Sequence, residues 1–133
     1  VIPEVDDRVE PDEVERVLLC SGKVYYDLAE HREETEAYET AIVRVEQLYP
    51  LRTEEIESAL ADYESPEIRW VQEEPKNMGA WYFMYPRLVD LFGHERVPEY
   101  VGRPASASPA TGSPASHDLE QENMLDDAFG END

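Results

Sequence analysis

Apolar residues in this chain gather in short β-branched runs that alternate with longer stretches of helical spacing. Val17-Leu18-Leu19-Cys20 is apolar at every position, as a strand covered on both faces requires, and Ser21-Gly22 ends it. From Val24 to Arg32 the spacing turns helical, with Tyr25, Leu28, Ala29 and Arg32 on one stripe. Thr40 to Val45 is β-branched and predicts a second strand, closed off by Pro50. Thr53 is expected to cap a second helix. Glu54 and Glu55 then fall in its first turn, where the helix dipole favours negative charge, and Ile56, Leu60 and Tyr63 form its apolar face. Ile68-Arg69-Trp70-Val71 predicts a third strand stopped by Pro75. Met78 to Phe92 predicts helix, with Pro86 expected to kink or divide it. Tyr100-Val101 predicts a short fourth strand ending at Gly102. Pro104 to Ser116, rich in Pro, Ala, Ser and Thr, is expected as an extended surface loop. A last helix is expected from about His117 to Phe129, resting on Leu125, Ala128 and Phe129.

Strand followed by helix, four times over, implies an α/β fold: a mainly parallel sheet with helices on both faces and right-handed crossovers. An antiparallel edge strand is compatible with the pattern but has no fixed place in it. At 133 residues the chain suits one core. The polar segment 1–13, with Pro3 and Pro11, is expected as a linker or arm from an upstream domain, 14–130 as the α/β domain and 131–133 as a tail. A start on Val-Ile-Pro-Glu without a basic and then apolar stretch suggests a fragment lacking a signal peptide.

The formal net charge of −21 argues against nucleic acid and anionic membranes as partners. No apolar run approaches the ~20 residues of a bilayer span. Because the acids are scattered, a solvated acidic surface is the simpler reading than a docking site for a basic partner. One cysteine, Cys20, excludes an internal disulfide and makes a reducing compartment the default.

In parallel sheets ligands collect beyond the carboxyl ends of the strands. Those ends are Ser21-Gly22-Lys23, Glu46-Gln47, Glu73-Glu74 and Arg103. Lys23 and Arg103, with Gln47 nearby, are candidates for an anion or effector cleft. The simpler alternative is ordinary polar strand ends with ion pairs such as Glu73 with Arg103. Ser21-Gly22-Lys23 is only the tail of a phosphate-loop motif, and no G-x-G-x-x-G occurs. His31, His94 and His117 lack metal-ligand spacing. Cys20, in an apolar strand, reads as a buried structural thiol. No catalytic, cofactor-binding or metal-binding set stands out. Gly79-Ala80-Trp81-Tyr82-Phe83-Met84-Tyr85-Pro86 is apolar all round, so Trp81, Tyr82, Phe83 and Tyr85 are candidates for a face covered by another domain or subunit. Deep insertion into the domain's own core explains the same composition.

Four phrases carry a resemblance: Val17 to Tyr26 (VLLCSGKVYY), Ile42 to Leu51 (IVRVEQLYPL), Trp70 to Pro75 (WVQEEP) with Asn77, Gly79, Ala80 and Trp81, and Gly102 to Ser113 (GRPASASPATGS) with His117, Glu120 and Gln121. In order and spacing the chain resembles the C-terminal domain of the decarboxylating component of 2-oxoglutarate dehydrogenase. The resemblance implies a transketolase-type C-terminal domain. The implied parent is a homodimer that uses thiamine diphosphate and magnesium, decarboxylates 2-oxoglutarate in the tricarboxylic acid cycle and passes the succinyl group to the lipoyl-bearing acyltransferase component. In such enzymes the cofactor lies between the two upstream domains. This domain is therefore expected to bind no cofactor, to be inactive alone and to support the subunit and its dimer. The implied setting is the bacterial cytoplasm, or the mitochondrial matrix of a eukaryote. A 2-oxoadipate dehydrogenase, or an effector-binding regulatory module, is the alternative. Some actinobacterial relatives bind acetyl-CoA through basic residues after the second strand; here Arg52-Thr53-Glu54-Glu55 places two acids where they would repel phosphate.

Overall fold

A computed structural model of the chain describes residues 1–103 and 114–131, with the side chains of 114–117 outside the description. The elements run β1 (Arg16–Cys20), α1 (Val24–Thr35), β2 (Thr40–Arg44), α2 (Thr53–Leu60), β3 (Glu67–Pro75), α3 (Trp81–Phe92), β4 (Glu99–Arg103) and α4 (Pro114–Ala128), after a single 3-10 turn at Pro11–Glu13. The strands form one sheet in the order β2-β1-β3-β4. Every pairing among them is parallel, with Leu18 opposite Ile42 on one side and Arg69 on the other. The α/β expectation therefore holds, and no antiparallel strand is found among these four.

Side chains alternate between two cores because strand residues alternate between faces. Val17, Leu19, Ala41, Val43, Ile68 and Trp70 face α2 and α3, where Ile56, Trp81, Met84 and Leu88 close over them. Leu18, Cys20, Ile42, Val71 and Val101 face α1 and α4, meeting Val24, Leu28, Met124, Ala128 and Phe129. The continuous apolar run in β1 is thus explained: all four residues are fully buried, two on each face.

The N-terminal segment lies along the free edge of β2. Ile2 makes an antiparallel bridge to Arg44, its N–H donating to Arg44 O at 2.8 Å and Arg44 N–H returning to Ile2 O at 2.9 Å. Ile42 N–H donates to the Glu4 carboxylate at 2.8 Å. That carboxylate also takes both Nη1 and Nη2 of the buried Arg32. Edge-strand amides that would otherwise offer a template for another chain are satisfied within the molecule.

Several expectations change. Thr53 is the first helical residue of α2 rather than its cap; Arg52 holds the cap position without a side-chain bond, and its carbonyl receives Glu55 and Ile56 N–H. Pro86 neither ends nor divides α3. It sits on the exposed side of the helix, as does Tyr82, whose carbonyl loses its intrahelical donor to the proline. β3 and β4 each extend beyond the predicted runs, and α4 begins at Pro114, before His117. Of the expected 104–116 loop, residues 104–113 lie outside the described residues.

Candidate functional site

In this strand order the chain leaves β1 toward β2 through α1, and leaves β3 toward β4 through α3 on the opposite face. The strand order therefore reverses between β1 and β3, and the crevice beyond their carboxyl ends is where a ligand of such a sheet sits. Here Lys23 Nζ donates to Glu73 Oε2 at 2.9 Å across that crevice. The hydrogen bond to Glu73, reinforced by its charge, raises the lysine's pKa. Arg103 reaches the same strand end, its Nε donating to Glu73 O at 2.9 Å, with Nη1 3.6 Å from the Glu120 carboxylate. Behind them lies a cavity of about 30 Å³ lined by Glu73, Arg103, Glu120, Gln121 and Met124. It has room for a single water, far below the several hundred Å³ of a small-molecule site.

The structure thus brings Lys23 and Arg103 together on Glu73, each already engaged with protein. Gln47 belongs to the loop after β2, where its Nε2 donates to Pro50 O at 3.2 Å. Arg52, in the same loop, lies 3.6 Å from Glu55. Glu46 turns back from β2 to accept Gly22 N–H at 3.1 Å, which fixes the turn at the end of β1. Cys20 is fully buried, and that burial, with the nearby Glu46 charge, pushes its thiol up to about 12, so it carries no thiolate at neutral pH.

The aromatic segment divides. Trp81 is buried in the chain's own core, edge-on to Tyr85 at 5.3 Å and tilted against Tyr100 at 5.5 Å between ring centroids. Phe83 is half-buried beneath the Arg87 guanidinium, 3.6 Å from its ring. Tyr82 and Tyr85 are exposed by 59% and 42% and form the outer side of α3.

What holds this helix was not read from the sequence. Gln72, buried in β3, accepts from Trp70 Nε1 and from Trp81 N–H, both at 3.0 Å. Its amide donates to Glu74 O, Pro75 O and Met78 O. One side chain thereby satisfies the first N–H of α3 and the turn that leads into it. Gly102 lies against this group: a Cβ there would stand 2.7 Å from Gln72 O and 2.5 Å from the Tyr100 hydroxyl. A glutamine in a strand gives no sign of its partners until the fold brings them together. An open groove between the arm and α1, lined in part by Asp6, Arg8, Tyr25 and Arg32, also has no sequence signature. Both of its arginines are paired with Asp6, Arg8 at 2.7 Å and Arg32 at 3.9 Å, and Asp6 is held down near 2 chiefly by the Arg8 bond.

Residues 1–129 match the family described as 2-oxoglutarate dehydrogenase C-terminal. The chain belongs to that family. The 2-oxoglutarate dehydrogenase E1 component of Azotobacter vinelandii is 46% identical over 133 residues, covering 97% of this chain and 14% of its own length. That of Cupriavidus necator is 44% identical over 130 residues, with the same shares, and that of Brucella anthropi 47% over 122, covering 88% of this chain and 12% of its own. The chain therefore spans about one seventh of the length of these relatives, as the family's C-terminal domain. These relatives are bacterial, and among the described residues no helix is long and apolar enough to cross a membrane.

Proposed function

We propose that this chain is the C-terminal, non-catalytic domain of a 2-oxoglutarate dehydrogenase decarboxylating component. The family match over 1–129, in relatives that extend far beyond it, carries this reading. In that parent, thiamine diphosphate and magnesium bound by upstream domains supply the decarboxylation chemistry. The succinyl group then passes to the lipoyl-bearing acyltransferase component. The domain completes the subunit, with upstream domains of the same chain and a second copy of the parent as its neighbours.

The geometry supports the division of labour. A diphosphate needs cations with unspent donors and a crevice of its own size. The crevice between β1 and β3 is bridged by Lys23 and Glu73, and the cavity behind it is lined by two glutamates. These residues do not fit thiamine diphosphate, and no catalytic step is assigned to them. Tyr82 and Tyr85 have the position and the aromatic character of a contact surface for the rest of the subunit.

The intact protein, supplied with thiamine diphosphate and magnesium, is expected to reduce ferricyanide with 2-oxoglutarate in preference to 2-oxoadipate. Residues 1–133 by themselves should do neither, and should retain no thiamine diphosphate on dialysis. Turnover of a 2-oxo acid by residues 1–133, or tight cofactor retention by them, would overturn the assignment.

A further inference from the structure

At the far end of the α1/α4 face, three side chains distant in sequence converge. His31 Nε2 lies 2.6 Å from Glu131 Oε1, and one ligand atom from each of His31, Asp126 and Glu131 falls within 4.8 Å of the others. Their positions are fixed by backbone. His31 projects from the third turn of α1 and packs on Phe129, with ring centroids 4.8 Å apart. Beyond α4 the chain closes in a Schellman turn: Glu131 N–H donates to Asp126 O at 2.8 Å and Gly130 N–H to Asp127 O, with Gly130 at φ 74°. That turn folds Glu131 back over Asp126. Two carboxylates are thereby held against each other beside an imidazole, in a chain whose net charge is already −21.

We propose that His31, Asp126 and Glu131 form a binding site for a divalent transition metal of the zinc class, tying the C-terminal turn of α4 to α1. Imidazole nitrogen with two carboxylate oxygens is a borderline donor set. It favours zinc over magnesium, which prefers all-oxygen octahedral ligation. Three protein ligands leave the fourth tetrahedral position to water. The His31–Glu131 contact is shorter than the spacing of two ligands around one ion. Binding therefore requires the Glu131 side chain, 40% exposed, to swing outward and the ligand atoms, spread over 4.8 Å, to draw in to the roughly 3.3 Å spacing of a tetrahedral site.

Equilibrium dialysis of the intact protein against micromolar zinc, with magnesium in excess to occupy hard sites, tests this. Wild type is expected to hold one zinc per chain more than His31→Gln and more than Glu131→Gln. The affinity for that equivalent should weaken by at least about 10-fold in each variant. His94→Gln, altering an exposed histidine, should match wild type. Glu131 is a surface residue, so its variant keeps the fold even where His31→Gln disturbs packing on Phe129. Equal zinc content and affinity in wild type and Glu131→Gln would overturn the proposal and leave a plain His31–Glu131 contact.

Discussion

The two faces of the sheet are covered by different means. On one, α3 brings Trp81, Met84 and Leu88 onto Trp70 and Leu19, so aromatic and aliphatic surface does most of the sealing. On the other, α1 and α4 are largely polar helices, and charged groups bind them to the sheet. Arg69 donates to Asp127 O, Arg16 to Phe129 O at 2.8 Å, and Gln121 to Asp27 at 2.9 Å across the two helices. Arg32 is buried against Glu4. A polar helix supplies few apolar contacts, so its attachment depends on directed bonds whose partners must all be present. An apolar helix is sealed mainly by contact, with Gln72 tying down its first turn, but it leaves aromatic surface on its outer side. The face sealed by α3 is accordingly the one that ends in exposed Tyr82 and Tyr85, where a larger subunit has something to cover.

Removing the polar centre of the apolar face should have the largest effect. Gln72→Leu leaves the Trp70 indole N–H, the Trp81 N–H and the Met78 carbonyl without their partner, while Pro75 O keeps the Met78 N–H. At ~1–3 kcal/mol for each buried orphan, a loss of about 3–5 kcal/mol is expected in urea unfolding. A loss below about 1 kcal/mol would mean that hydrophobic contact alone holds α3. On the opposite face, Glu4→Gln removes the carboxylate from buried Arg32 and from the β2 edge. About 3 kcal/mol should be lost, together with faster hydrogen exchange at Ile42 N–H.

Cys20 gives a smaller, pH-dependent effect. An unfolded thiol ionises near 9.0, whereas burial holds the folded one near 12. Above pH 9 the unfolded chain thus binds fewer protons than the folded one, and stability falls as pH rises. The slope from this group is at most about 1.4 kcal/mol per pH unit up to pH 12. Tyr100, also raised to about 12 chiefly by burial, adds a slope of the same sign above its ordinary value of 10.0. Cys20→Ala should be less stable at pH 7 yet show a shallower decline between pH 9 and 11 in a series of urea midpoints. The smallest effect belongs to Tyr82→Ser with Tyr85→Ser. Within this chain the pair should shift stability by less than about 0.5 kcal/mol each, as exposed positions do. In the intact protein the same changes should weaken packing against the rest of the subunit, read as increased protease sensitivity.

Periodicity alone determined the alternation of strands and helices, the double burial of Val17 to Cys20 and the parallel sheet. Those features follow from local spacing and from the few ways a buried strand can be covered. The family was legible for a similar reason, since its phrases are contiguous. Tertiary structure decided what depends on distant residues meeting. It turned a polar arm into the cap of the β2 edge, because Glu4 finds Arg32 and Ile42 there. It let Pro86 stay within α3, on the exposed side of the helix. It joined Lys23 and Arg103 at Glu73, and it set His31 beside Asp126 and Glu131. Spacing along a chain records which side of an element is apolar; only folding fixes which polar groups lie close enough to share a proton, a charge or an ion.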